Sequence, residues 1–182
     1  MSKVILINGN NKIDSRLTGI QSVIEQSFQK QGVQTEVIYI HQLPANDLIR
    51  VNFNSEILQR ELKKVVEADV IVLLTPIYKA SYTGILKTFI DLIPQKGFEE
   101  KIVWPVAIGG TAHHLLAIDY TLKPLAITLG ATQIAKSVFV QEQQVTKVDA
   151  FVYNVELEIQ GRLAQEVERI TNQLIQKEKV IQ

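Results

Sequence analysis

Apolar residues along the chain form two kinds of pattern in turn. The first is a short continuous run, Val4 to Ile7, which stops at a polar segment. Such runs are typical of strands that are covered on both faces, as in parallel sheets. The second pattern follows that segment and has helical spacing as far as Gly32, at Leu17, Ile20, Val23, Ile24 and Phe28. The beginning of the chain is therefore predicted to be a strand, a loop and a helix.

The same alternation repeats along the rest of the chain. Further strands are predicted at Thr35 to Ile40, Val70 to Leu74, Ile102 to Ile108 and roughly Ala131 to Val140. Further helices are predicted at 57–66, 85–92, 115–129 and from 155 to about 177, and 41–54 is expected to be a polar connection across the surface. This repeated alternation favours an α/β fold, a doubly wound parallel sheet with five strands.

The composition of the chain excludes several classes of protein and of functional site. With 182 residues, of which 46% are hydrophobic, the chain can bury one core, and a single domain over residues 1–182 is expected. The 19 basic and 19 acidic side chains balance, which argues against binding to nucleic acid or an anionic membrane. The absence of cysteine excludes disulfides, thiolate metal sites and thiol nucleophiles. The first apolar run is too short for a signal peptide or membrane span, so a soluble, cytoplasmic protein is predicted.

The segment "NGNNKIDSR", residues 8–16, follows the first strand and would lie at the carboxyl edge of the sheet, where ligands bind in such folds. Gly9 would allow a tight turn, and Ser15 would be the N-cap of the next helix. Free amides at a helix start favour an anion, and the segment adds cations and donors suited to a phosphate monoester. These are Asn10, Asn11, Lys12, Ser15 and Arg16. The spacing matches neither a P-loop nor the dinucleotide glycine motif, and an ordinary loop with a capping serine is the alternative.

Two further loops would share the same edge. "LLTPIYKASYTG", 73–84, ends a buried strand in an aromatic, cationic segment, although a rigid turn with packed tyrosines is equally open. "GGTAHH", 109–114, would let the backbone approach a flat ligand. A phosphate bound by one loop and a flat ring bound by the other two indicate a mononucleotide with a large ring.

Two other kinds of site are not expected. Neighbouring His113 and His114 point in different directions on a helix and lack further ligands, so no metal site is expected. Nucleophilic hydrolysis is disfavoured because there is no Gly-x-Ser-x-Gly elbow.

Three segments together, "NGNNKIDSR", "TPIYKASYTGILKTFIDLIP" and "GGTAHHLLAIDYTLKPL", resemble the NAD(P)H-dependent FMN reductases of flavodoxin-like fold. The resemblance is closest to the alkanesulfonate-type branch, which supplies reduced FMN to a partner monooxygenase, and it spans about Lys3 to Val140. It implies the strand order 2-1-3-4-5 with helices on both faces. The family phosphate loop reads Gly-Ser-x-Arg-x-x-Ser. Gly9 and Ser15 match it, Lys12 stands where arginine is usual, and Asn10 replaces the serine.

The resemblance also implies where FMN would bind. Asn10, Lys12, Ser15 and Arg16 would hold the phosphate. Pro76, Ile77 and Tyr78 would lie along the flavin ring with Lys79 nearby, and Gly109, Gly110 and Thr111 would lie near its pyrimidine edge. The implied reaction is direct hydride transfer from the nicotinamide of NADPH or NADH to FMN, for which no catalytic acid or base is expected.

Two other readings are compatible with the same segments. One is a quinone or azo-dye reductase that retains FMN, and the other is a flavodoxin-like electron carrier without NAD(P)H activity. The family resemblance further implies a homodimer or homotetramer, with Tyr120 in a π-bulge at a subunit interface. The alternative for Tyr120 is an ordinary core tyrosine whose hydroxyl is bonded locally.

Overall fold

A computed structural model describes residues 2–181, with side chains as far as Lys177. Met1 and Gln182, the ends of the expected domain, lie outside the described residues. The strands are β1 (Val4–Asn8), β2 (Thr35–Tyr39), β3 (Val70–Pro76), β4 (Ile102–Gly109), β5 (Gln133–Ile134), β6 (Val138–Gln141), β7 (Val145–Asp149) and β8 (Val152–Val155). The α-helices are α1 (Arg16–Lys30), α2 (Ala45–Ile49), α3 (Glu56–Glu67), α4 (Gly84–Ile90), α5 (Lys123–Thr128) and α6 (Leu157–Ile181).

The central sheet confirms the predicted fold. Its strands run parallel in the order β2-β1-β3-β4-β5, and β6 also pairs with β4. Side chains on successive residues of a strand face opposite sides of a sheet, so β1 contributes to two cores. Ile5 and Ile7 pack in the layer that contains α3 and α4, whereas Val4 and Leu6 pack in the layer that contains α1 and α6. Helices therefore cover both faces, as in flavodoxin-like proteins.

The predicted fifth strand, Ala131 to Val140, is interrupted in the structure. β5 pairs with the beginning of β4 and β6 with its end, and Lys136 lies in the gap. Its backbone groups have other partners there. The carbonyl of Lys136 accepts a hydrogen bond from the indole nitrogen of Trp104 at 3.1 Å, and its N–H donates to the buried carboxylate of Glu166 at 2.8 Å. These bonds replace ladder bonds that a continuous strand would make.

Two other segments differ from the sequence prediction. The expected surface connection 41–54 contains helix α2, because Leu48 is buried against the core. The antiparallel hairpin β7–β8 was not predicted. Its first strand has only Val145 buried and so lacks the alternation of a half-buried strand. None of the helices within residues 2–181 is long and apolar enough to cross a membrane.

The predicted helix 115–129 is irregular. It begins as a 3₁₀ helix, Ala112–Leu115, passes through a π-helical turn, Ile118–Leu122, and ends as α5. The N–H of Lys123 donates to the carbonyl of Ile118, which confirms the predicted i to i+5 bond around Tyr120. Pro124 cannot donate the next helical bond, so the ladder is already weakened there. Tyr120 is 77% exposed, and the alternative of a core tyrosine is therefore wrong.

Candidate functional site

The first loop is fixed by a buried polar network behind it. The side-chain oxygen of Asn8 accepts a hydrogen bond from the N–H of Asn10 at 2.9 Å, and its amide nitrogen donates to Gln21 at 2.7 Å. Gln21 in turn donates to the hydroxyl of Tyr39 at 2.7 Å. Asn8, Asn10 and Gln21 are all nearly inaccessible to solvent. Sequence reasoning missed this network, and a polar residue at the last position of an apolar strand was the available signal.

Gly9 is required for close packing rather than for the predicted tight turn. Its backbone does not have a positive φ. A Cβ at this position would lie 2.8 Å from the Cβ of Leu86 and 3.1 Å from the carbonyl oxygen of Leu74. The glycine therefore lets the loop pass close to both α4 and β3.

Ser15 occupies the predicted N-cap position of α1, with an extended backbone, but its side chain makes no capping hydrogen bond. The hydroxyl lies 3.4 Å from that of Thr18, whose own hydroxyl donates to the carbonyl of Ile13. The Nε of Arg16 donates to the carbonyl of Val145 at 3.0 Å. Ser15 therefore does not cap the N–H groups of the first helical turn, and such uncapped N–H groups are suited to binding an anion.

The second loop contains a tight turn of unusual conformation. Tyr78 and Ser81 exchange backbone hydrogen bonds of 2.8 and 3.1 Å, and the two residues between them, Lys79 and Ala80, have φ of 50° and 63°. This left-handed conformation normally favours glycine or asparagine, and strained turns of this kind cluster at ligand sites. Tyr78 is half-exposed, whereas the side chain of Ile77 is buried in the core.

The third loop follows β4 directly. A Cβ on Gly109 would lie 2.9 Å from Nδ1 of His114 and 3.0 Å from the ring of Phe139. The packing around Gly109 therefore leaves no room for a side chain. A Cβ on Gly110 would meet nothing within 4 Å, and Gly110 and Thr111 are exposed. Nδ1 of His114 is buried and has no hydrogen-bond partner within the part of the chain that the structure describes.

The first two loops line one cavity of about 350 Å³, a size that suits a small ligand. Of the predicted site residues, it brings together Asn10, Lys12, Ser15, Arg16, Pro76 and Tyr78. The other predicted residues do not line it: Ile77, Lys79, Gly109, Gly110 and Thr111. The third loop is nevertheless adjacent, because Ile108 lines the cavity and its carbonyl accepts the N–H of Ile77 at 2.8 Å.

Six further residues line the cavity and were not among the site residues predicted from the sequence. Asp14, Leu17, Ile108, Glu142, Lys147 and Tyr153 complete the lining. Hydrogen bonds from Lys147 and Tyr153 lower the pKa of Asp14 to about 2. Burial and the bond to Asp14 raise the pKa of Tyr153 to about 12. Asp14 was visible in the first loop, but nothing in the sequence indicated that its partners come from a hairpin more than a hundred residues away.

His113 and His114 lie in the 3₁₀ helix that follows the third loop. Within the described residues, no three His, Asp or Glu side chains come together in a way that would hold a metal ion.

Comparison with known proteins identifies the family. The sequence pattern of the family described as NADPH-dependent FMN reductase matches residues 2–146. The chain belongs to this family. An FMN reductase (NADPH) of Pseudomonas putida is 37% identical over 142 residues, which are 78% of this chain and 72% of that protein. An FMN reductase (NADPH) of Escherichia coli K12 is 37% identical over 146 residues, 79% of this chain and 75% of that protein.

A solved structure extends the similarity to the whole fold. The apo form of an NADH:FMN oxidoreductase, EMOB, has a TM-score of 0.83 and 26% identity, and the match covers 95% of this chain and 90% of that one. The predicted family is thereby confirmed. The chain is an oxidoreductase of the FMN reductase type, which works with FMN and with NADPH or NADH.

Proposed function

We propose that residues 1–182 act as one cytoplasmic FMN reductase domain that reduces FMN with NADPH or NADH and passes the product to a flavin-dependent monooxygenase of the sulfonate type. One observation carries the assignment of the site: the cationic loop after β1 and the aromatic loop after β3 line the same cavity. A phosphate and a flat ring joined in one ligand would need this combination.

The residues fit an FMN phosphate. Lys12 and Arg16 supply positive charge, and the uncapped first turn of α1 supplies amides together with the hydroxyl of Ser15. Asn10 is buried, and its own side-chain oxygen accepts the N–H of Asn11 at 2.9 Å. Asn10 therefore shapes the loop, while its side-chain amide still carries two donors that could reach a phosphate.

The second and third loops fit the ring. Pro76 and Tyr78 would contact its face, and Lys79 would lie at the turn beside it. The buried side chain of Ile77 supports the loop from behind. Gly109, Gly110 and Thr111 would follow the pyrimidine edge, where Gly110 has free space beside its backbone. The unpartnered Nδ1 of His114 lies next to these glycines.

FMN supplies the redox chemistry when bound, because its ring accepts a hydride. The chain then has to bind the phosphate and hold the ring in contact with the nicotinamide. None of the proposed site residues needs to act as an acid or base. Leu115, Leu116, Tyr120 and Ile127 are large exposed apolar or aromatic side chains along one irregular helical segment, which supports a homodimer or homotetramer formed through it.

Use of FMN as a substrate that leaves is supported by the exposure of the site. Lys12, Arg16 and Tyr78 all reach solvent, and Lys12 is a point charge where an arginine fork would bind phosphate more firmly. A modest affinity would allow reduced FMN to depart to a monooxygenase. An enzyme that retained its flavin, as a quinone or azo-dye reductase would, needs no such release.

The decisive experiment measures steady-state oxidation of NADPH and NADH by the purified chain with added FMN or riboflavin. We expect turnover that depends on added FMN and is weaker with riboflavin. Transfer is then tested by adding a sulfonate monooxygenase and its substrate, and by measuring product. An electron carrier would give no nicotinamide oxidation. A retained-flavin reductase would purify yellow and would require a second acceptor.

A further inference from the structure

The hairpin β7–β8 is fastened to the first loop through a single carboxylate. Asp14 accepts hydrogen bonds from the hydroxyl of Tyr153 at 2.5 Å, from the N–H of Phe151 at 3.2 Å and from the ammonium of Lys147. Asp14 lies one residue before the N-cap of α1, in the loop that holds the candidate phosphate ligands. The hairpin thus reaches the site from a distant part of the chain.

Two additional contacts set the hairpin against α1. The carbonyl of Val145 accepts from Nε of Arg16 at 3.0 Å. A Cβ on Gly19 would lie 2.6 Å from the Cβ of Tyr153, so the lack of a side chain at Gly19 admits the tyrosine directly onto the helix. The ammonium of Lys147 lies 5.9 Å from the centre of the Tyr153 ring. These contacts hold Lys147 and Tyr153 at the rim of the cavity, which both residues line.

We propose that Asp14 is a positioning residue that clamps the β7–β8 hairpin onto the first loop, and that Lys147, placed in this way, is a third cation for the phosphate of FMN. The inference rests on the proposed FMN site. It goes beyond the family match, which ends at residue 146 and so does not include Lys147 or Tyr153.

The donor count supports this role for Lys147. A lysine ammonium has three N–H donors, and among the described residues its only hydrogen-bond partner is Asp14. At least one donor is therefore available to an anion in the cavity. The side chain is 48% exposed, which leaves the ammonium accessible to a ligand. The carboxylate of Asp14, by contrast, already accepts three hydrogen bonds, so its charge is compensated beside the phosphate loop.

The direction in which removal of Asp14 changes the affinity for FMN distinguishes a positioning role for Asp14 from simple charge repulsion. If Asp14 only repels the phosphate, its removal should tighten FMN binding, because it deletes a negative charge near the cavity. If Asp14 positions Lys147, removal should weaken FMN although the site becomes more positive. Riboflavin lacks the phosphate and should bind each variant almost as it binds the unaltered protein.

The experiment titrates FMN and riboflavin into the purified chain and follows quenching of flavin fluorescence. We expect Lys147→Gln and Asp14→Ala each to weaken FMN by about fivefold to tenfold, as for a partly exposed charge-assisted contact. Riboflavin affinity should change by less than about twofold, because the effects of mutations at sites that do not interact usually agree within that margin. The double variant should be little weaker than Lys147→Gln alone, because Asp14 is proposed to act through Lys147. Lys147→Arg should restore most of the FMN preference.

A matched pair elsewhere provides the control. Lys87 and Asp91 form an exposed ion pair at 2.5 Å at the carboxyl end of α4, and neither residue lines this cavity. Lys87→Gln and Asp91→Ala should therefore leave the ratio of FMN to riboflavin affinity unchanged. Tighter FMN binding by Asp14→Ala, equal losses for both flavins, or additive losses in the double variant would overturn the inference. Lys147→Gln alters an exposed side chain and should fold even if Asp14→Ala does not. If the unaltered chain does not bind FMN at all, that result contradicts the proposed function itself and not only the role of Asp14 and Lys147.

Discussion

The hydroxyl of Thr83 donates a hydrogen bond to the backbone carbonyl of Gly9 at 2.5 Å. This bond joins the loop after β3 to the loop after β1, the two loops that line the candidate site. The same hydroxyl accepts the N–H of Leu86 and so caps α4, while the N–H of Thr83 donates to the hydroxyl of Thr75. Thr83 is buried, and its position therefore sets the distance between the phosphate loop and the aromatic loop.

Replacing Thr83 with valine should separate the two loops. The substitution removes the donor to Gly9 and the cap of α4 while keeping the shape, so we expect a loss of about 2 kcal/mol in the free energy of unfolding. Urea denaturation measures that loss. FMN and riboflavin affinities should fall together, because both ligands need the two loops in register. Thr83→Ser retains the hydroxyl and serves as the control; a valine variant as stable as the unaltered chain would contradict this role.

The fold was largely predictable from the sequence because its strands and helices carry strong periodic signals. The candidate site was harder to predict from the sequence, and Thr83 shows why. Its role depends on the carbonyl of Gly9, which lies far away in sequence, and a threonine before a helix predicts only a cap. The clamp between Asp14 and the β7–β8 hairpin was hidden for the same reason. Pro76 and Tyr78 were found, by contrast, because they lie at the carboxyl end of a buried strand, and this end marks the ligand edge of the sheet.

Lys12→Ala and Arg16→Ala should each weaken FMN much more than riboflavin. Both side chains are exposed, so we expect roughly 1 kcal/mol for each, below the range of about 1.5 to 3 kcal/mol for hydrogen bonds to charged groups. Flavin fluorescence titration gives both affinities. Lys30→Ala removes a cation from the opposite end of α1 and should change neither. Equal losses for FMN and riboflavin would show that these cations do not bind the phosphate.

Gly110→Val should abolish flavin binding without unfolding the chain. The protein itself leaves space at this position, so only a ligand beside the backbone would meet the new side chain. Gly109→Val should instead lower stability, since its Cβ would press on His114 and Phe139. Gly161→Val, at another glycine with open space, is the control. Thermal unfolding and flavin titration together decide; a Gly110→Val variant that melts early but binds flavin normally would reduce Gly110 to a turn residue.

The clamp at Asp14 should make stability depend on acid pH. Its folded pKa of about 2 lies below the ordinary value of 3.8, because Lys147, Tyr153 and the N–H of Phe151 all donate to the carboxylate. The stabilisation is then present above about pH 4 and is lost as the pH falls through 2. The difference in unfolding free energy between the unaltered chain and Asp14→Asn should accordingly shrink over that interval. Urea titrations at each pH measure it, with Asp149→Asn as the control; a difference that stays constant down to pH 2 would contradict the assignment.

Tyr120 lies in the π-helical turn and is 77% exposed, a combination that packing within one subunit does not explain. A π turn is less favourable than a regular α-helix and occurs mostly at functional sites. Leu116 and Ile127, on the same irregular segment, are 57% and 60% exposed, so a second subunit covering Tyr120 would bury a larger apolar surface. We therefore predict that Tyr120 lies at a subunit contact close to the flavin and assists its release.

Tyr120→Ala should shift the oligomer equilibrium or cause FMN to copurify, and it should impair turnover with free FMN. Stability of the subunit itself should change by less than about 0.5 kcal/mol, as for other exposed positions. Analytical ultracentrifugation, the flavin content of the purified variant and steady-state kinetics measure these three effects. Phe53→Ala truncates another exposed aromatic, outside the π turn, and should leave all of them unchanged. If Tyr120→Ala keeps the oligomer, the flavin content and the turnover of the unaltered chain, the π turn serves some purpose other than an interface near the flavin.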